Sequence, residues 1–476
     1  MNRLFRSIYC LTTFFFLVSP VFAQGQPAGK DFNVAASRLV REFEGRYGGT
    51  VGVSTQVLKS GKVPFTYNGT KPMVPASNMK VVTTAVALDT LGEDFRFETR
   101  LYGPKQREGK TLKGDLVLKG AGDPSFYPPF VDNSLAPFKS MIEALKRTGV
   151  QEVEGNLIVD DSDFDRQFIP KSYHDRYLLD SYAAPVGGLG LNRNVVTVSV
   201  GPNGITAEPN TGSLKLVNDV KTGGYDQIWA ERKRGTDQIV VHGFARAGNT
   251  VQTTLTVNDP VRFAGSTFFR LMERSGIRFR GKWNTVEEGT PASLTDKVLL
   301  AKHLSPKLIE LVQQTNNESD NILAQHIFRR LGATVVGFGS AKNSATVVRS
   351  FFKKNKISDS GFLMIDGSGL SEKNRIAPYQ LVYILKAMWT SDHGQSFIDS
   401  LPAPGEGTMR RRLGGALVRA KTGTLNNHSG LTGYVVTAYG ETVGFSVLVN
   451  DVESTWPAVE LQDDLVALLS RWEQKL

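Results

Sequence analysis

The 476-residue chain has one cysteine, Cys10, and only six histidines. Cys10 lies in an N-terminal apolar run, so the rest of the chain holds neither a disulfide framework nor a thiol nucleophile. The histidines at 174, 242, 303, 326, 393 and 428 form no H-E-x-x-H pair and have no cysteine beside them, which leaves a zinc site without ligands. A G-x-x-x-x-G-K-[ST] loop is missing, as is a G-x-G-x-x-G turn between a strand and a helix, so nucleotide chemistry has no support. The G-x-S-x-G elbow of many serine hydrolases is absent too. Without zinc-finger spacing, a basic heptad run or an aromatic RNA-binding signature, no nucleic-acid partner is expected. No metal or cofactor is expected, and neither internal repeats nor long low-complexity linkers occur.

What is present begins with a targeting pattern. Arg3 and Arg6 precede an apolar run from Ile8 to Val18, and Val21-Phe22-Ala23 places small residues ahead of a cleavage point at Gln24. The run is shorter than the roughly 20 apolar residues of a membrane span. Residues 1–23 therefore read as a signal peptide, and the protein as exported, to the periplasm or another extracytoplasmic site. Loss of Arg3 and Arg6 takes the formal charge from +10 to +8. A basic balance of that size favours peripheral contact with a membrane surface or an anionic wall polymer. Clusters such as Arg410-Arg411-Arg412 and Arg232-Lys233-Arg234 are more simply solvated faces. At about 450 mature residues the chain exceeds one ordinary core and predicts two or three domains.

Chemistry enters at Ser77-Asn78-Met79-Lys80. A serine hydroxyl is a poor nucleophile at neutral pH unless a base stands beside it, and positions i and i+3 of a helix put a lysine amine there. The residues that follow, Val81, Val82, Ala85, Val86 and Leu88, are apolar nearly all round, the pattern of a buried helix. Burial lowers the pKa of a lysine and frees its amine to accept a proton. Ser-x-x-Lys recurs by chance in chains of this length, but Ser319-Asp320-Asn321 and Lys421-Thr422-Gly423-Thr424 follow it in order. From Ser77 to Ser319 is 242 residues and from Ser319 to Lys421 is 102. The first gap is more than two walls of one cleft need, so a domain-sized insertion lies within it.

These three motifs and their spacing resemble the class C low-molecular-mass penicillin-binding proteins, the D-alanyl-D-alanine carboxypeptidase/endopeptidase family also called peptidase family S13. Gly120-Ala121-Gly122-Asp123-Pro124, Tyr182-Ala183-Ala184-Pro185, Asp366-Gly367-Ser368-Gly369-Leu370-Ser371 and Gly407-Thr408-Met409 strengthen the likeness, which covers the chain from about residue 30 onward. It implies an α/β (α+β) fold: a penicillin-binding, β-lactamase-like transpeptidase domain whose antiparallel sheet is flanked by helices, with a large β-rich insert. The catalytic domain is expected over 30–98 and 296–476, and the insert over 99–295 with a nested third domain whose inner boundary falls roughly within 120–180. The substrates implied are the stem peptides of bacterial peptidoglycan, with β-lactam antibiotics as covalent inhibitors.

Roles follow from the likeness and from ordinary chemistry together. Ser77 attacks a D-alanyl-D-alanine carbonyl and is acylated, while neutral Lys80 takes its proton, its pKa further depressed by a positive Lys421 across the cleft. Ser319 relays the proton to the leaving amine. Asn321 holds the substrate amide and the Lys80 amine. Lys421 and Thr422 recognise the terminal carboxylate, and Gly423 lets substrate backbone lie along the strand edge. The backbone N–H groups of Ser77 and Thr424 form the oxyanion hole. Asp320 is expected to tie down backbone N–H groups of its turn. The Asp366–Ser371 loop either borders the cleft or serves conformation alone, and Asp180 is a candidate to reach the cleft from the insert.

Two alternatives stay open on these residues. One is a β-lactamase with the same motifs, against which stand the long insert and the lack of a glutamate motif for class A deacylation. The other is a catalytically idle wall-binding protein, against which the complete set Ser77, Lys80, Ser319, Asn321 and Lys421 argues. The acceptor of the acyl group decides between carboxypeptidase, endopeptidase and transpeptidase action, and the family likeness implies a hydrolase.

Periodicity predicts a helix over Asn33–Tyr47 closed by Gly48-Gly49, a strand over Thr50–Leu58, and helices over Pro306–Gln314, Asn321–Arg330, Ala341–Lys354, Pro378–Trp389 and Ala458–Trp472. A strand over Ala416–Ala420 enters Lys421 and continues, through Gly430–Tyr439 and Thr442–Val449, as an antiparallel meander. Short β runs at 116–118, 156–159, 194–200, 239–244 and 251–257 mark the insert, with helices near Ala136–Arg147 and Arg262–Arg274.

Overall fold

A computed structural model describes residues 32–209, 214–232, 236 and 238–476. The signal peptide expected over residues 1–23 lies outside the described residues, as do Lys233 and Arg234 of one basic cluster. The chain takes an α/β fold in which a five-stranded antiparallel sheet carries helices on both faces. Its order in space is Val418–Leu425, His428–Val436, Thr442–Asn450, Thr50–Val57 and the short Thr66–Tyr67. The last three long strands form the expected meander, and the N-terminal strand then pairs antiparallel along Thr442–Asn450 from Thr50↔Asn450 to Val57↔Val443.

The middle strands have almost every residue buried, because both faces are covered. On one face the helices Phe32–Tyr47 and Thr455–Ser470 pack Val40, Phe43, Leu461 and Leu465 against Val51, Leu431 and Val447. On the other lies a helical layer built round Met79–Leu91, whose first ten residues are all buried, with Leu308–Asn317, Asn321–Val336, Ala341–Lys354 and Pro378–Trp389 about it. The apolar circumference of the Ser77 helix is thus spent on neighbours in every direction.

Residues 98–304 build a second layer system with its own core. A mixed five-stranded sheet runs Trp283–Thr285, Leu157–Asp160, Leu116–Lys119, Glu98–Pro104 and Lys297–Leu304. Its last two strands pair antiparallel, so the chain enters and leaves this region side by side. Two three-stranded sheets follow: Gly204–Glu208, Val195–Gly201 and Val251–Thr256, then Lys215–Thr222, Gln238–Ala245 and Gln227–Arg232, where the first two strands are parallel.

The strand Lys297–Leu304 was not legible as one: only Ala301 of its eight residues is buried, so no two-residue alternation shows. The lysine motif is carried deeper than its predicted entry at Ala416–Ala420. The strand starts at Val418, and Lys421, Thr422 and Gly423 lie at its centre.

Candidate active site

Ser77 sits in a 3₁₀ turn, Ala76–Asn78, immediately before the helix that bears Lys80. The turn is clamped. Asn450 accepts from Val74 N at 2.8 Å and donates to Val74 O at 3.0 Å, pinning the approach segment to the sheet. A Cβ at Gly423 would stand 2.9 Å from Ser77 N and 2.7 Å from Asn78 Nδ2, and one at Gly369 would stand 1.8 Å from Ala76 O. Gly423 is therefore required by the close approach of the serine turn itself. Its missing side chain makes room for the backbone of that turn.

Lys80 has no solvent exposure. Its Nζ lies 3.0 Å from Ser77 Oγ, 2.6 Å from Asn321 Oδ1 and 2.8 Å from the Ser368 carbonyl. Burial lowers its pKa to about 7, against the opposing pull of Asp366 and then Asp320. Lys421, also without exposure, donates from Nζ to the Thr422 carbonyl at 2.9 Å. Its pKa is pushed well below the ordinary lysine value by burial first and by repulsion from Lys80 second. Desolvation is the first cause at each amine, and the repulsion between the two acts on both.

Ser77, Ser319, Asn321 and Thr424 line one cavity of about 520 Å³, so the three motifs meet there. Tyr177, Tyr182, Leu370, Leu425, Asn426 and Thr455 complete the wall. A larger hollow of about 830 Å³ lies between the helix starting at Phe32 and the C-terminal residues Trp472–Leu476, and holds none of the motif residues. Lys421 and Gly423 are buried and Thr422 is half-buried; Thr424 and Leu425 are the residues of that strand that line the cavity.

Ser319 has φ of 59°, a left-handed turn that sets its hydroxyl at the cavity. That hydroxyl is hydrogen-bonded to neither Lys80 nor Ser77, so the expected relay is not assembled here. Asn321 accepts from Lys80 on its carbonyl oxygen and donates from Nδ2 to the Tyr182 carbonyl at 2.9 Å, on the insert. Asp320 caps the helix Asn321–Val336, accepting from Ile322 N at 2.9 Å and Leu323 N at 3.1 Å. Its other oxygen accepts from the Tyr127 hydroxyl at 3.0 Å and forms an ion pair with Arg193 at 3.0 Å.

Asp366 is wholly buried and organises its turn, accepting from the backbone N–H of Ser368 at 2.8 Å, Gly369 at 2.6 Å and Ser371 at 2.7 Å. The turn does more than hold a shape, since its Ser368 carbonyl touches Lys80. Asp180 does not line the cavity and instead accepts from the Tyr182 hydroxyl at 2.7 Å. Tyr182 packs edge-on against Tyr177 with ring centres 5.6 Å apart. Sequence reading missed these two tyrosines as wall residues; the Tyr182-Ala183-Ala184-Pro185 string was the available signal for one of them.

The chemistry this arrangement suits is acyl transfer through a serine ester, and the class so defined is the serine-type D,D-peptidases of the penicillin-binding fold. The sequence signature of the D-Ala-D-Ala carboxypeptidase 3 (S13) family matches residues 40–472, and the chain belongs to that family. A D-alanyl-D-alanine carboxypeptidase of Actinomadura sp. (strain R39) is 29% identical over 456 residues, covering 90% of this chain and 82% of the relative. The D-alanyl-D-alanine carboxypeptidase DacB of Haemophilus influenzae is 26% identical over 455 residues, covering 88% of each. The crystal structure of penicillin binding protein 4 (dacB) from Haemophilus influenzae shares the fold with a TM-score of 0.78 at 24% identity, over 91% of this chain and 99% of that one.

Proposed function

We propose that the protein cleaves the D-alanyl-D-alanine termini and D-alanyl cross-links of peptidoglycan stem peptides through an acyl ester on Ser77, with Lys80 as the base. The observation that carries this is the position of the Lys80 amine, within hydrogen-bonding reach of Ser77 Oγ, Asn321 Oδ1 and the Ser368 carbonyl at once. A neutral amine has two N–H donors and one lone pair. Asn321 Oδ1 and the Ser368 carbonyl are acceptors only, so they take both hydrogens, and the lone pair is left for the third neighbour, the Ser77 hydroxyl. With the proton affinity of Lys80 near pH 7, a large fraction of the amine is free at neutral pH.

The Ser77 oxygen then adds to the substrate carbonyl carbon as its proton passes to Lys80. Charge on the carbonyl oxygen is met by the backbone N–H groups of Ser77 and Thr424. Collapse breaks the C–N bond, and the amine leaves with a proton delivered by way of Ser319, once substrate draws that hydroxyl inward. Water repeats the addition and releases the acid. Two buried amines that repel one another favour a single shared positive charge. An arriving carboxylate favours that charge on Lys421, which leaves Lys80 free. A β-lactam acylates the same hydroxyl.

The paired strands Glu98–Pro104 and Lys297–Leu304 support a division into residues 30–98 with 296–476 as the catalytic domain and 99–295 as the insert. The N-terminal pattern supports export, tested by fractionating cells and sequencing the mature N-terminus. The basic charge supports peripheral contact with anionic wall polymer or membrane, tested by salt-sensitive sedimentation with each.

For the reaction, the mature protein is incubated with purified muropeptide pentapeptide monomers and with cross-linked dimers, and products are identified by mass. Release of one alanine from the monomer, or scission of the dimer, is the expected result. A fluorescent penicillin should attach at Ser77. Attachment elsewhere, or rapid release of opened penicillin with no action on muropeptides, would overturn the reading.

A further inference from the structure

We propose that Tyr173, contributed from the region between the first two motifs, is a positioning residue for Lys80. It holds the Ser368 turn so that the Ser368 carbonyl keeps one hydrogen of the Lys80 amine and the lone pair stays aimed at Ser77. The inference rests on the serine-acylation reading above.

The contacts have a direction. Ser368 Oγ donates its only proton to Asp366 Oδ1 at 2.8 Å. In its 3.2 Å contact with Tyr173 the serine oxygen therefore accepts, and the phenol donates. Gln325 Nε2 in turn donates to the Tyr173 oxygen at 3.3 Å, while Gln325 Oε1 accepts from Gly367 N at 2.6 Å. Gln325 lies one turn beyond Asn321 on the same helix. The two acceptors of the Lys80 amine, Asn321 and Ser368, are thereby tied to each other through Gln325 and Tyr173.

A second clasp stands beside the first. Ser371 Oγ donates to Ser172 Oγ at 2.6 Å, so adjacent residues grip both ends of the turn. Tyr173, Gln325, Asp366 and Ser368 are all buried, and the Tyr173 ring packs on Ala183 and the cavity residue Leu370. Burial raises the phenol well above its ordinary pKa, which keeps it a donor at any pH where the enzyme works. Nothing in the mechanism otherwise uses this hydroxyl. A buried network of this kind is worth keeping only if it specifies a geometry, because each unpaired member would cost more than it contributes.

The charged groups that face Lys80 are Lys421 from the sheet, Asp366 from the turn and Asp320 from the helix cap. Tyr173→Phe leaves all three in place and removes only the donor to Ser368. With the carbonyl released, the ammonium form of Lys80 loses an acceptor, so its proton affinity falls while its lone pair loses its aim.

The test is the second-order rate of Ser77 acylation by a fluorescent penicillin, measured across pH for the wild type, Tyr173→Phe, Ser368→Ala and the double variant, each checked for folding by thermal melt. Tyr173→Phe is expected to lower the high-pH plateau about tenfold, the order of one buried hydrogen bond. Its acid limb should move to lower pH. Ser368→Ala should move the limb the same way, and the double variant should match Ser368→Ala alone, since the influence of Tyr173 passes through Ser368.

A folded Tyr173→Phe protein with the wild-type plateau and limb overturns the proposal. So does a double variant in which the two losses multiply. If Tyr173→Phe does not fold, an unmoved limb in Ser368→Ala overturns it instead. A wild type that is not acylated at Ser77 overturns the underlying reading, which keeps the two failures apart.

Discussion

The strand Val418–Leu425 with the Ser77 turn, and the segment Tyr177–Tyr182, face one another across the same cleft, and they are built by opposite means. On the strand side Lys80 and Lys421 have no solvent exposure, and Gly423 lets the serine turn approach the strand at backbone distance. On the other side Tyr182 is 41% exposed, with its hydroxyl held by Asp180 in a partly solvated contact. The difference is one of dielectric. Where water is excluded, removing a neighbour changes the proton affinity of an amine; where water remains, it screens each contact and offers a replacement partner.

That contrast can be broken first on the dry side. Ser77→Ala should abolish acylation by a fluorescent penicillin, and Lys80→Ala should slow it by roughly 100- to 10,000-fold, the span of a lost general base. Near wild-type rates in Lys80→Ala would remove the amine from the mechanism. Gly423→Ala is next: the new Cβ, 2.9 Å from Ser77 N, must push aside the N–H proposed as an oxyanion donor. About a 100-fold fall in acylation is expected, with folding retained on circular dichroism.

Acidity sharpens the comparison further. Lys80 binds its proton near pH 7, so the amine is free above that value and charged below it. The acylation rate should level off on the alkaline side and fall about tenfold per pH unit below the midpoint, as for one essential base. A rate independent of pH between 5 and 8 would contradict this.

Smaller effects are expected toward the rim. Asp320→Ala removes the cap of the helix that begins with Asn321 and strips partners from Tyr127 and Arg193. A loss of about 1 kcal/mol or more in urea unfolding should follow from the cap alone. Asp180→Asn, on the wet side, should change kcat/KM for a muropeptide by no more than about twofold. A large loss there would move the chemistry toward the rim and undo the division.

Much of the dry side is legible in the sequence alone. Ser77 and Lys80 declare themselves through three-residue spacing ahead of an apolar stretch, and the meander of Val418–Leu425, His428–Val436 and Thr442–Asn450 through glycine-bounded β runs. Tyr173 was not legible as a partner of the site, because no period relates it to Ser368; the two meet only where two separately built regions dock. The short helix Gly394–Ser400 and the parallel pairing of Lys215–Thr222 with Gln238–Ala245 left no readable pattern either. A parallel partner is chosen by tertiary placement and not by the turn between strands.

The linear order of residues determined that Ser77 and Lys80 stand together at the head of a buried helix, and which family the chain belongs to, since those follow from residue type and spacing. Only the tertiary structure decided the proton affinities and the aim of the amine. Both depend on how completely water is shut out around Lys80 and on which carbonyls stand within hydrogen-bonding reach, and Asn321 and Ser368 come to it from far along the chain.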